Sequence, residues 1–266
     1  DTPDQSLAAE PFQLPAGVAP IFMDLPLLTG DEVPHAPHIA VAASPWPGPV
    51  AVFSSPSDSD YVLNTTVRGP SRIGLLENAL LAAQAGRWDR GPGLRVRLAN
   101  GALSSVDPEN VLNGANVAAI GSGDGDGWEI IQFASAELIE PDLWEISMRL
   151  RGQAGSEATM PAAWEAGSYF VLLDGAAPQI DIASSSRGLL RNYLIGPARK
   201  SYSDPCYVSR QLAFEGIGLR PYAPAHLRAR HDGDDLALSW IRRTRIDGDS
   251  WQGVDVPLGE TQEAYL

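Results

Sequence analysis

Several groups of side chains in this sequence have the types and spacing that catalysis or ligation would need. Glu137, Glu140 and Asp142 crowd one short stretch. A glycoside hydrolase requires two carboxyl groups that face each other across one glycosidic bond. In an extended chain successive side chains alternate, so Glu137 and Glu140 point to opposite faces and do not converge. Glu157 and Glu165 stand across a loop and could approach each other, but nothing near them completes a site. The run GSGDGDGWE places Asp124, Asp126 and Glu129 among glycines, as a calcium loop does. Counted from Asp124, it has no glycine at the sixth position and no glutamate at the twelfth. It therefore reads as an exposed acidic hairpin tip. A GxGxxG phosphate cradle fails as well, because Asp126 stands where the third glycine belongs and would repel phosphate.

The remaining reactive residues are equally isolated. His35 and His38 lie among prolines, His226 in a proline-flanked approach to a strand, and His231 beyond it; a zinc site needs three or four converging ligands. Cys206 is the single cysteine, which excludes an intramolecular disulfide, and it reads as a half-buried small apolar side chain. The Gly69-Pro70-Ser71 triplet meets Ile73 where a nucleophile elbow has its second glycine. Asn64-Thr65-Thr66 is a formal glycosylation acceptor and is taken as chance. Arg242, Arg243 and Arg245 reverse an otherwise acidic chain. Pairing with the surplus carboxylates is favoured for them over contact with DNA phosphates or simple solvation. No catalytic, cofactor-binding or metal residue is assigned, and no enzyme activity is expected of this segment.

Aromatic residues offer a rival class of function. Seven Trp and seven Tyr could build a sugar-stacking platform, with Trp88 as best candidate because Arg87, Asp89 and Arg90 surround it. Trp128, Trp144 and Trp240 fall within strands and read as core anchors. A carbohydrate-binding module predicts several Trp exposed on one plane; an architectural protein predicts them buried or at subunit contacts.

Composition frames these choices. With 22 Pro and 26 Gly in 266 residues, helices would be interrupted often, which favours short strands and many turns. A net charge of −14 argues against gripping a phosphate backbone or anionic lipid, though DNA can pass an acidic wall without sticking. No apolar run approaches the ~20 residues of a membrane-spanning helix. The start at Asp1 and the end in EAYL, which reads as an unfinished strand, suggest a segment of a longer polypeptide.

Period-two patterning places the elements. Residues 1–20 read as an extended lead-in, and Ile21–Leu28 as a short docking strand. HIAVAA (38–43) and VAVFS (50–54) read as a hairpin across Pro45, Pro47 and Pro49, with Tyr61–Val67 as a third strand. Residues 72–83 fit either helix or strand, with strand preferred. LRVRL (94–98) sends Leu94, Val96 and Leu98 inward and Arg95 and Arg97 outward. Val117–Ile120 pairs with 128–140 across the acidic turn. Pro141-Asp142 then turns the chain into a strand in which Leu143, Glu145, Ser147 and Arg149 oppose Trp144, Ile146, Met148 and Leu150. Gly152 and Gly155 end that strand with positive-φ loop geometry, bracketed by Arg151 and Glu157, with Gln153 serving backbone groups. Ser168–Leu173, Leu189–Ile195 and Leu236–Trp240 are further strands.

The wording of 128–157 carries a resemblance. Trp128, Glu129, Gln132, Phe133, Ala136, Glu137 and Leu138, then Leu150, Arg151, Gly152, Gln153, Gly155, Ser156 and Glu157, resemble motifs of the phage tail protein family of tail-tip and baseplate hubs. GRWDRG (86–91), LNGAN (112–116), GIGLRPYAPAHLRA (216–229) and SWIRRTRIDGDSW (239–251) extend it in order, and it looks most like the large baseplate protein of gene transfer agents. The resemblance implies a mainly-β fold of tail-hub-type domains with short strands and Pro/Gly-rich loops over 21–222, with a break near 157–167. The start of a fibronectin-III-like sandwich over 223–266 follows. It further implies a structural role in a distal tail tip that passes DNA to a host cell, the particle being made in a bacterial cytoplasm. Expected partners are two further copies in a homotrimer, other tail and baseplate proteins, transient DNA without a dedicated nucleic-acid site, and the host surface. A carbohydrate- or receptor-binding β module is the alternative. In such relatives a TIM-barrel domain resembling glycoside hydrolases precedes this region, and its alternating pattern is absent here.

Overall fold

The structure, a computed structural model, describes residues 17–123, 125, 127–245, 247–248 and 255–264. Most of the expected lead-in, Asp124 and Asp126 of the acidic tip, and Trp251 lie outside the described residues. In chain order the strands are β1 (Ala19–Met23), β2 (His38–Ala42), β3 (Val50–Ser55), β4 (Val62–Val67), β5 (Ile73–Leu76), β6 (Leu80–Leu81), β7 (Trp88–Asp89) and β8 (Leu94–Leu98). A one-turn helix α1 (Pro108–Leu112) precedes β9 (Val117–Gly121), β10 (Glu129–Glu140), β11 (Leu143–Gln153), β12 (Ala163–Trp164) and β13 (Tyr169–Leu172). β14 (Arg191–Pro197), β15 (Val208–Leu212), β16 (Ala225–Asp232) and β17 (Asp235–Ile241) follow. The fold is mainly β, as the Pro/Gly content and alternation require, and the ambiguous residues 72–83 form strands β5 and β6.

Six strands close into a barrel in the order β10-β9-β13-β5-β8-β11, with β11 returning to β10 and β7 added alongside β11. Closure satisfies both edges of the sheet. Leu94, Val96 and Leu98 face the interior while Arg95 and Arg97 face out, as their alternation predicts. Ile120, Ile131, Phe133, Ile146 and Phe170 fill the same interior. The expected pairing of 117–120 with 128–140 is present as β9–β10.

Strict alternation fails along the central hairpin. Trp144 and Ile146 pack toward the barrel core, but Met148 has φ +50° and the strand changes parity there. Beyond it Arg149 stands opposite Phe133, and Met148 and Leu150 pack outside with Val111 and Ala134. β10 changes parity at the same level, between Phe133 and Ala136, and the two arginines, rather than Met148 and Leu150, reach the interior side.

The β1–β2 ribbon lies between the barrel and a four-stranded sheet ordered β15-β14-β3-β4. Ile21, Met23, Ala40 and Ala42 pack on the barrel exterior with Trp128 and Ile130. Phe22, Ile39 and Val41 pack on Val50, Val52, Tyr193 and Ile195 of the sheet. Burial on both faces explains why IFM and IAVA are continuously apolar. The expected hairpin between HIAVAA and VAVFS does not form: β2 pairs with β1, and β3 with β4 and β14. Pro45, Pro47 and Pro49 have no N–H to donate to a ladder, so the connection carries the chain into another sheet instead. After residues 157–167 the chain returns to the barrel sheet as β13, beside β9 and β5. β16 and β17 form a separate hairpin that leaves Leu227, Leu236, Leu238, Trp240 and Ile241 exposed.

Candidate functional site

The densest polar arrangement is buried at one end of the barrel. Glu129 opens β10 and shares the parity of Ile131 and Phe133, so it projects to the interior side. Arg151, past the parity change on β11, meets it there, and both are fully buried. Arg151 Nε donates to Glu129 Oε1 at 2.7 Å and its Nη2 to Oε2 at 2.8 Å. Trp164 Nε1 donates to Oε2 at 2.6 Å, and the Gly152 amide to Oε1 at 3.1 Å. Four donors fill the acceptor positions of one carboxylate. Arg151 Nη1 donates to the Leu81 carbonyl at 2.7 Å.

Arg149 extends the cluster. Its Nε lies 3.0 Å from Asp89 Oδ2, and its Nη1 donates to the Ile146 carbonyl at 2.9 Å. Burial pulls the Asp89 carboxyl upward, but the Gly91 amide and the Arg149 and Arg151 charges outweigh it and hold its pKa below the usual range. Two arginines and two carboxylates balance, and their remaining polar atoms reach backbone or Trp164. Those are the conditions under which a buried ion pair is tolerated. Such a cluster ties β6, β7, β10, β11 and β12 together; with its acceptors occupied, Glu129 is poorly placed for proton transfer or metal ligation.

The RGQAGSE loop has the expected glycine geometry, with one change of partner. Gly152 and Gly155 have φ +59° and +80°, and Gln153 Nε2 donates to the Arg151 carbonyl. Arg151 and Glu157 do not pair with each other, because the parity change at Met148 turns Arg151 inward to Glu129. Glu157 instead holds Arg243, whose guanidinium lies 5.0 Å from the centre of the Tyr222 ring. A Cβ on Gly155 would stand 2.4 Å from Tyr222, so the loop can be this close only without a side chain. The basic stretch is paired throughout, as favoured: Arg242 with Asp255 and Glu263, Arg243 with Glu157, and Arg245 with Glu260 and the Gly218 carbonyl.

Other sequence candidates stay apart. His35 Nε2 lies 3.0 Å from the Ile182 carbonyl, and burial pushes the His38 pKa down. Among the described residues no three His, Cys, Asp or Glu side chains gather as a metal site. Cys206 is half-buried in a turn, and desolvation with the nearby Asp204 pushes its thiol up, away from thiolate chemistry. Glu137 stands opposite Glu145, and Glu140 lies 3.7 Å from Arg97. Trp128 and Trp164 are buried, and Trp88 is half-buried against the Leu150–Val111 cluster. Trp240, read as a core anchor, is 38% exposed because no second sheet covers its hairpin among the described residues.

The Glu129–Arg151–Trp164–Asp89 cluster escaped sequence reasoning, although two arginines spaced two apart in an apolar strand demand buried partners. Among the tyrosines, Tyr61, Tyr202 and Tyr207 gather with Phe53, a grouping that no spacing along the chain announces.

The family model described as Rcc01698-like, C-terminal, matches residues 71–171. That family name is associated with gene transfer agent-like proteins. The matched stretch coincides with β5 to β13, the closed barrel with its buried ion cluster. No curated protein matches the chain.

Proposed function

We propose that this chain is an architectural segment of a phage-like tail tip or baseplate hub, acting in the organisation of the distal tail and the path of DNA into a host cell. The observation that carries this reading is the coincidence of the family match at 71–171 with a closed, internally cross-linked barrel. Glu129 and Asp89, the two carboxylates of the cluster, are engaged by Arg151, Trp164 and Arg149, which supports structure over catalysis. The negative charge suits a wall that DNA passes without binding. The exposed Leu227, Leu236 and Leu238 on the last hairpin support a fibronectin-III-like sandwich in which further strands cover them.

Gold-labelled antibody against this chain, applied to particles from producing cells, should mark one end of the tail. Label confined to the capsid, or particles that lack the chain altogether, would defeat the proposal.

A further inference from the structure

The sheet β15-β14-β3-β4 buries one face against the ribbon and turns the other outward. Phe53 lies on the outward face, directly opposite Leu63 of β4 and Leu194 of β14. Two connections bring tyrosines over it: Tyr61 just before β4, and Tyr202 and Tyr207 between β14 and β15. Ring centres are 5.3 Å apart for Phe53–Tyr202, 6.1 Å for Phe53–Tyr207 and 5.9 Å for Tyr61–Tyr202.

This row is built rather than accidental. The Tyr207 ring lies so close over β14 that a Cβ on Gly196 would fall 2.5 Å from it, and its hydroxyl reaches the backbone of Pro197 and Lys200. Tyr61 donates its hydroxyl to Asp58. Tyr202, in the middle, is 42% exposed, and the rings tilt by 44–55° to form a notch rather than a flat plate.

We infer that this notch binds a neutral pyranose oligosaccharide, with Tyr202 as the stacking ring. The C–H faces of a pyranose carry partial positive charge and meet the negative faces of aromatic rings. Successive rings here are spaced by about one sugar unit. The tyrosine-bearing connections also carry carboxylates, Asp58 and Asp60 beside Tyr61 and Asp204 beside Tyr202. Asp58 accepts from Tyr61, Asp60 from Ser59, and Asp204 from Lys200 and the Cys206 amide, which leaves their second lone pairs for sugar hydroxyls. Asp58, Asp60 and Asp204 outnumber Arg199 and Lys200 in these two connections, and Lys200 is paired with Asp204 at 3.1 Å, so anionic glycans and phosphates meet a net acidic border. A second copy of this chain fits less well, since it would bring its own acidic surface to that border. The inference does not rest on the hub reading, because it concerns only what the chain binds.

The 266-residue chain should show saturation-transfer NMR signals and calorimetric binding with cellotetraose or chitotetraose, and none with oligogalacturonate. Tyr202→Ala should weaken binding at least tenfold with an unchanged circular dichroism spectrum, while Tyr202→Phe keeps most of it. On the unaltered chain, either neutral tetrasaccharide should slow nitration of Tyr202 by tetranitromethane, read by peptide mass spectrometry, whatever the variants do. Absence of binding to both neutral tetrasaccharides overturns the inference. So does unchanged affinity in Tyr202→Ala, or a Tyr202→Ala chain that sediments as a smaller species, which would mark a subunit contact instead.

Discussion

Removing one partner of the Arg151–Glu129 pair should cost more than the intact pair contributes, because the survivor is left charged in a water-free site. Arg151→Ala strands a carboxylate that keeps only the Trp164 and Gly152 donors. The expected loss is about 3–5 kcal/mol in urea denaturation. The double variant Arg151→Met with Glu129→Leu should recover most of it, since an apolar pair leaves no charge uncompensated. A loss below about 1 kcal/mol in the single variant would mean that water reaches the site. Asp89 gives the cluster a pH signature. Its folded pKa is depressed, so its contribution is fully present above the unfolded value of about 3.9 and is lost as pH falls through the folded one. Melting temperature should therefore drop steeply below about pH 4, and Asp89→Asn should flatten that limb; identical acid limbs would refute the assignment.

At the scale of elements, the central hairpin joins two cores. Phe133 faces the barrel interior and Trp128 the layer shared with the β1–β2 ribbon. Phe133→Ala should destabilise by about 3–5 kcal/mol, the usual cost of emptying a buried aromatic site. A smaller loss would mean that the barrel collapses around the cavity. The last hairpin is attached differently, through Arg243 on Glu157 and Tyr222 and Arg245 on the Gly218 carbonyl. Arg243→Ala should speed proteolysis within 223–241 while leaving the main thermal transition within a degree or two. If the barrel melts early as well, the contact stabilises the barrel rather than only docking the hairpin.

For the whole molecule, the expected trimer is a question of which surfaces remain after three layers pack. The barrel has no free edges among its six strands, whereas β4 and β15 leave edges on the outer sheet and β4 exposes Val62 and Leu63. If these edges serve assembly, light scattering coupled to size exclusion should give three times the 28.3 kDa chain mass at micromolar concentration. A concentration-independent monomer would place trimerisation elsewhere in the particle.

The sequence by itself determined the β class, the barrel strand LRVRL, the β9–β10 hairpin and the loop glycines. Each is written in local signals: period-two alternation, turn chemistry and the φ freedom of glycine. Pairing of the basic stretch was also legible, because three arginines in an acidic chain have carboxylates to spare. Sheet membership was decided only in three dimensions. β2 and β3 look alike in sequence, yet one pairs with β1 and the other with β14, well over a hundred residues later, and no local pattern encodes a long-range partner. The buried cluster was hidden for a related reason. The paired strands β10 and β11 reverse parity together near Met148, so Arg149 and Arg151 go in where Met148 and Leu150 were expected. The aromatic notch likewise exists only because two loops distant in sequence fold over one strand of the outer sheet.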